Sequence, residues 1–372
     1  MKLLFISLND HVPWGGSEEL WSKTALYLSG NHQITVLVKR WKETHPKLKK
    51  LIDADVNVKF KDQYQTKKSF IDKFYRKFFG KTRTKNIKFN YQPYNHVLIS
   101  LGNNFDSNLN FYTNTLIEEQ KDYSLIIQLA TDLRHITDKQ IQAFVESYQK
   151  AKNVFFLSED NVFKTELLLG VELTNKIKIN NPFNFSQGYI APKSNKFNMA
   201  CVAAFTSFHK GQDLLITALG QEKWRNRDFK LNLYGDGINK QQIKRLIERY
   251  NLDSKVIIKG FVKNKEDIWK ENTICIMPSR MEGQSLAMLE AMSFGRMVIA
   301  TNVGDANELI IEDETGFLIP AATVELIDEA LEKAWLARNE ITKMGINSRK
   351  HLFNYITKDP IIQFAEQIEK SI

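Results

Sequence analysis

The feature that most narrows what this chain can fold into is an alternation of short, nearly continuous apolar runs with longer amphipathic stretches. In the first half the runs are Leu3–Leu8, Ile34–Val38, Val97–Ser100, Leu125–Leu129, Val154–Leu157 and Ile177–Ile179. Runs of this kind suit parallel strands covered on both faces, each joined to the next by a helix. The pattern breaks at Asn180, Asn181 and Pro182, followed by Ser186, Gly188, Pro192 and Ser194, a stretch rich in turn formers. It restarts with strands expected at Met199–Ala203, Phe229–Tyr234, Val256–Ile258, Thr273–Met277 and Met297–Ala300, and helices after Gly211 and over Lys240–Tyr250. The expectation is an α/β protein of two Rossmann-like, doubly wound parallel-sheet domains, 1–190 and 195–354, with a terminal amphipathic helix in 355–372. A length of 372 residues fits this reading at about 150 residues per domain. Such sheets bind ligands at the carboxyl ends of their strands, so a cleft between the domains is the expected site.

Composition removes other classes. A hydrophobic fraction of 43% and a charged fraction of 26% exclude fibrous and wholly disordered chains. Two cysteines, Cys201 and Cys275, both in apolar runs, cannot build a disulfide framework and point to a reducing, cytoplasmic setting. The apolar stretch Leu3–Leu8 is too short for a secretory signal, and no window approaches the roughly 18 apolar residues of a membrane span. No nucleic-acid recognition module is present, so nucleic acid is not an expected partner.

Two loops carry the chemistry. The first strand ends in Asn9-Asp10-His11-Val12-Pro13-Trp14-Gly15-Gly16-Ser17-Glu18-Glu19, and a helix follows. Gly15 and Gly16 permit positive φ and close ligand approach there, Ser17 is placed to cap the helix, and free N–H groups at its start attract phosphate. In the second half, the strand Thr273–Met277 runs into Pro278-Ser279-Arg280-Met281-Glu282-Gly283-Gln284-Ser285, with a helix opening near Ser285 or Leu286 and Glu290 more than one turn into it. The backbone N–H groups of Gln284, Ser285 and Leu286 are then free for anionic or hydroxylated ligand atoms.

Glu282, seven residues and Glu290, with Pro278-Ser279 before and Gly283 after, resemble the donor-site motif of family-4 retaining glycosyltransferases of the GT-B architecture. Matching segments recur in order: Gly15-Gly16, Lys210-Gly211, Tyr234-Gly235-Asp236-Gly237, Gly260-Phe261-Val262, and Glu308-Leu309 through Thr315-Gly316-Phe317. Trp14 through Trp21 and Asn181-Pro182-Phe183-Asn184 resemble a bacterial subgroup of these enzymes. The resemblance is dense from Met199 to Phe317 and thin between Arg40 and Ser124.

The resemblance implies two Rossmann-like domains facing a central cleft, with the terminal helix crossing back to the first. It implies a nucleotide-diphosphate sugar, UDP- or GDP-linked, as donor substrate, a glycan or lipid-linked acceptor of the cell envelope, no resident cofactor and no metal. Glu290 would accept from the ribose hydroxyls, and Gly260 and Phe261 would lie against the base. Lys210 would neutralise the diphosphate. Glu282, Gly283 and the N–H groups of Gln284, Ser285 and Leu286 would hold the sugar and distal phosphate, while Gly15 and Gly16 would let the first domain's loop approach the same diphosphate. His135, after the strand Leu125–Leu129, is the first-domain histidine placed to reach the reacting carbon. In a retaining mechanism the donor phosphate itself can take the acceptor proton. One departure matters: where the family usually carries Gly-Arg-Leu before the lysine, this chain reads Ala203-Ala204-Phe205, so a bidentate phosphate partner is missing. Arg280 and His209 are the nearby substitutes, and a catalytically weak nucleotide-sugar or glycan-binding homologue is the competing reading. A nicotinamide-dependent oxidoreductase is disfavoured because no G-x-G-x-x-G is present.

The chain carries a formal charge of +9, but Lys39 to Asn90 alone holds 17 basic and five acidic residues. The excess is therefore local to the first domain. Within it, Phe70, Ile71, Phe74, Tyr75, Phe78 and Phe79 make one apolar helical face flanked by lysines, stopped by Gly80. The aromatics either face the first domain's core or lay Lys67–Gly80 on an anionic membrane surface; a phosphorylated acceptor would use the same charge.

Overall fold

The structure, a computed structural model, describes residues 1–64, 89–131 and 136–372, with only the backbone of Ser207 and Phe208. The basic aromatic stretch Lys67–Gly80 and His135 lie outside the described residues. The chain forms two units: Met1–Phe156 with Val162–Ile179 and Ile361–Ile372, and Leu157–Asn161 with Asn180–Pro360.

The first unit holds a seven-stranded parallel sheet: β1 (Lys2–Ser7), β2 (Gln33–Val38), β3 (Asn57–Phe60), β4 (His96–Leu101), β5 (Tyr123–Ile127), β6 (Asn153–Phe156) and β7 (Lys176–Lys178), in the order β3-β2-β1-β4-β5-β6-β7. Leu4, Ile6, Val97, Ile99, Leu125 and Ile127 send one face of this sheet into a common core. The alternate residues Leu3, Phe5, Leu98 and Ile126 are equally buried, which is why the strands read as unbroken apolar runs. The terminal helix Pro360–Lys370 returns to this unit, where Phe364 meets Phe155 edge-on at 5.1 Å and Asn153 bonds Ser371 at 2.6 Å.

The second unit repeats the scheme with six parallel strands, β8 (Phe197–Val202), β9 (Phe229–Tyr234), β10 (Val256–Gly260), β11 (Ile274–Met277), β12 (Met297–Thr301) and β13 (Gly316–Ile319), ordered β10-β9-β8-β11-β12-β13. Ile274 and Ile276 enter one core while Cys275 and Met277 enter the other, so β11 is buried on both sides. Two strands were not expected from the sequence, β3 and β13. Both are edge strands of four residues, and the half-exposed Asn-Val-Lys-Phe of β3 gives no continuous apolar run.

The turn-rich stretch after Ile179 is tied to the second unit. Asn181 is clasped by Gln284 (Nδ2 to carbonyl O, 2.8 Å), and Arg349 donates to the Gln187 carbonyl at 2.6 Å. Arg296, 1% exposed, donates to the carbonyls of Trp269, Phe294, Gly295 and Ile190, with no acid beside it. Burial pulls its guanidinium pKa down to about 10. Nothing in the sequence marked this arginine, because its partners are backbone carbonyls, two of them distant in the chain at Trp269 and Ile190.

Candidate functional site

In a doubly wound sheet the ligand crevice opens where the strand order reverses, beyond the carboxyl ends of the strands. In the second unit that point lies between β8 and β11, whose following loops contain Lys210 and Glu282. Three contacts hold these loops together. Gly211 sits at φ +65, and a Cβ there would lie 2.0 Å from the Pro278 carbonyl oxygen, so only glycine allows this approach. The Arg280 N–H donates to the His209 carbonyl at 2.7 Å, and the Arg280 guanidinium grips Asp213 through two bonds of 3.0 Å. The result is that Lys210 Nζ meets Glu282 Oε1 at 2.7 Å, with Ser279 Oγ donating to the same oxygen at 2.7 Å.

Behind Glu282, the helix Leu286–Ser293 begins where expected, with Ser285 as its N-cap accepting from the Met288 N–H at 3.3 Å. The N–H groups of Gln284, Ser285 and Leu286 find no acceptor among the described residues. Glu282 and the capping Ser285 border a small cavity with Thr301 and Asp305. The loop's course depends on Gly304, at φ +62, whose Cβ would fall 2.2 Å from the Gly283 carbonyl oxygen. The Gln284 side chain is already engaged: its Nε2 donates to Asn180 Oδ1 at 2.9 Å and its Oε1 accepts from the Asn181 N–H. What Gln284 can offer a ligand is its backbone.

The other expected donor-site residues lie nearby in the same unit. The Gly260 carbonyl accepts from the Gly235 N–H at 2.9 Å, and Phe261 projects with 81% exposure. Glu290, on the Leu286–Ser293 helix, pairs with Lys265 at 3.2 Å, an interaction that no motif signalled. Arg280 is committed to Asp213, and burial followed by the Lys210 charge pushes the His209 pKa below its ordinary value. Ala204 itself is exposed.

The first unit's loop differs from the expectation. The helix Ser17–Leu28 is capped by Gly16 at φ −60, not by Ser17, and neither Gly15 nor Gly16 adopts positive φ. Glu18 folds back into the preceding loop and accepts from the Gly15 N–H at 2.8 Å. The same carboxylate accepts from Asn9 Nδ2 at 2.8 Å, Ser17 Oγ at 2.9 Å and Ser7 Oγ at 3.2 Å. Glu18 is only 5% exposed, and burial raises its pKa despite those four donors. A further pair, the buried Lys61 with the half-buried Asp10 at 2.8 Å, stands at the carboxyl edge of β1 and β3. Spacing gave no sign of it, since the partners are 51 residues apart. Among the described residues no group of three or more His, Cys, Asp or Glu side chains forms a metal site, and no helix is long and apolar enough to cross a membrane.

Comparison with known proteins agrees with this geometry. Residues 196–335 match the family model described as glycosyl transferases group 1. The chain is 25% identical over 235 residues to poly(ribitol-phosphate) alpha-N-acetylglucosaminyltransferase of Staphylococcus aureus, a match covering 60% of this chain and 45% of that protein. It is 28% identical over 126 residues to alpha-D-kanosaminyltransferase of Streptomyces kanamyceticus, covering 33% of each. The chain thus spans less than half the length of these relatives. Among solved structures, Anabaena Alr3699/HepE in complex with UDP superposes with a TM-score of 0.75 at 16% identity, covering 100% of this chain and 99% of that one. The chain therefore has the fold of the GT-B glycosyltransferases, and its second unit carries a glycosyl transferases group 1 domain.

Proposed function

We propose that this protein is a retaining glycosyltransferase that moves a sugar from a UDP- or GDP-sugar to a glycan or lipid-linked acceptor of the cell envelope, without a metal, on the cytoplasmic side. The observation that carries the reading is the meeting of Lys210 and Glu282 at the second unit's switch point, beside a helix start with three free N–H groups. The leaving group is a nucleoside diphosphate whose charge grows as the glycosidic bond breaks. Lys210 and the N–H groups of Gln284, Ser285 and Leu286 offer fixed positive charge to meet it. Glu282 accepts from the sugar, Glu290 from the ribose, and Gly260 with Phe261 flanks the base. Gly15 and Gly16 serve the diphosphate from the first unit, and His135 serves the acceptor. The donor's own phosphate oxygen takes the acceptor proton.

Relatives support the classes of donor and acceptor. Anabaena Alr3699/HepE was solved with UDP-glucose, and the Staphylococcus aureus relative is named for a poly(ribitol-phosphate) acceptor. The local basic excess of Lys39–Asn90 fits an anionic acceptor or an anionic membrane surface. Transfer assays with a panel of UDP- and GDP-sugars, with the anomeric configuration of the product read by NMR, test the reading. Nucleotide-sugar binding without transfer or hydrolysis would favour a binding homologue, the alternative suggested by Ala204. Sedimentation with anionic vesicles at low salt tests the membrane surface, and no binding there removes it.

A further inference from the structure

The two oxygens of the Glu282 carboxylate are not equivalent. Oε1 receives Lys210 Nζ and Ser279 Oγ, each at 2.7 Å, while no donor among the described residues reaches Oε2. The two donors to Oε1 differ in kind. Lys210 is a point charge on a flexible four-carbon stem, which keeps the carboxylate near but sets its direction poorly. Ser279 is 2% exposed, has a short side chain and stands two residues beyond the end of β11, so its hydroxyl has one direction to offer.

We propose that Ser279 is a positioning residue for donor-sugar recognition: by saturating Oε1 together with Lys210, it leaves Oε2 as the acceptor for one sugar hydroxyl. This rests on the glycosyl-transfer reading above. A carboxylate oxygen accepts and cannot donate, so this arrangement selects a donor sugar with a hydroxyl at that place and rejects an epimer that directs it elsewhere. Lys210 has further N–H groups beyond the one given to Glu282, so the same ammonium links the sugar-reading carboxylate to the diphosphate. Ser279, which borders the same small cavity as Glu282, acts through the orientation of that carboxylate.

The test uses the full chain with UDP-glucose, UDP-galactose, GDP-glucose and GDP-mannose, two pairs that each differ in one hydroxyl. S279A is expected to lower kcat/KM for the preferred donor about tenfold, the worth of one hydrogen bond to a charged group. It should reduce the preference within the epimeric pair and leave the affinity for UDP or GDP alone within about twofold. S279T, which keeps the hydroxyl, should retain most of both. Unchanged kcat/KM and preference in S279A overturn the proposal, as does a loss of nucleotide affinity equal to the loss of turnover, since that marks a general disturbance of the loop. If S279A does not fold, S279T and S279C carry the comparison, and equal activity in the two overturns the proposal. Failure of wild-type protein to bind or turn over any of the four donors overturns the glycosyl-transfer reading itself, and this inference with it.

Discussion

The two sheets of this protein are wound alike, yet their switch points are furnished in opposite ways. Both reverse strand order beside the first strand of the unit, β1 next to β4 and β8 next to β11, and each places a loop and a helix start there. In the first unit Glu18 of the helix's first turn folds back into the preceding loop and accepts from the Gly15 N–H, Ser7, Asn9 and Ser17. In the second, the corresponding glutamate is held by Lys210 and Ser279, and the N–H groups of Gln284, Ser285 and Leu286 find no acceptor among the described residues. The same topology thus yields one carboxylate held by neutral donors and one held by a cation.

Lys210→Ala should break the contrast most severely. With the cation gone, Glu282 has no charge partner in its loop, and kcat/KM for the donor sugar should fall by about 100-fold or more, the scale of losing one preorganised donor at a developing charge. An unchanged kcat/KM would remove Lys210 from the site. Gly211→Ala strikes the packing that brings the two loops together. A left-handed alanine costs about 1–2 kcal/mol before its Cβ meets the Pro278 oxygen at 2.0 Å, so thermal melting should show a loss of about 3 kcal/mol or more along with most activity.

The pH dependence of stability sharpens the comparison from the first unit's side. His96, 2% exposed and bonded to Ser124 Oγ at 3.0 Å, is held down to about 4 by burial, below the ordinary 6.5. Between these values the unfolded chain binds a proton that the folded chain refuses. Stability is therefore complete above about pH 6.5 and is lost as pH falls toward 4, by about 3 kcal/mol in total. The first unit should melt earlier in acid, and His96→Gln should flatten that slope in a series of melts from pH 7 to 4. Glu18 works in the other sense. Its pKa is raised above the ordinary 4.5, so the folded chain keeps a proton that the unfolded chain has released, and stability falls as pH rises through that range. Glu18→Gln should gain Tm relative to wild type as pH rises above 4.5, the smallest of these effects. A gap that does not change with pH would mean that Glu18 is ionised without cost.

Much of the fold was legible because burial on both faces writes itself into sequence as unbroken apolar runs; β1, β4, β11 and β12 all read this way. The edge strands β3 and β13 escaped because one side of each needs no strand partner and their apolar content is short. In the second unit the sequence puts a helix start near Ser285 or Leu286, and the helix Leu286–Ser293 begins there, since the signals for a helix start act over a few residues. In the first unit the expected cap, Ser17, gives way to Gly16, and neither glycine uses the positive φ open to it, because local signals do not say where the Glu18 side chain goes.

The sequence by itself determined the periodicity, and through it the two parallel sheets, the loops at their carboxyl ends and the residue types those loops carry. These follow from burial and backbone geometry, which act along the chain. Only the tertiary structure decided the pairings: Lys210 with Glu282 across 72 residues, Arg280 with Asp213 across 67, Lys265 with Glu290, and Arg296 with four carbonyls. Charges and hydrogen bonds act over a few ångströms of space whatever the distance along the chain. Which partner each group finds is therefore settled when the sheets bring the loops together.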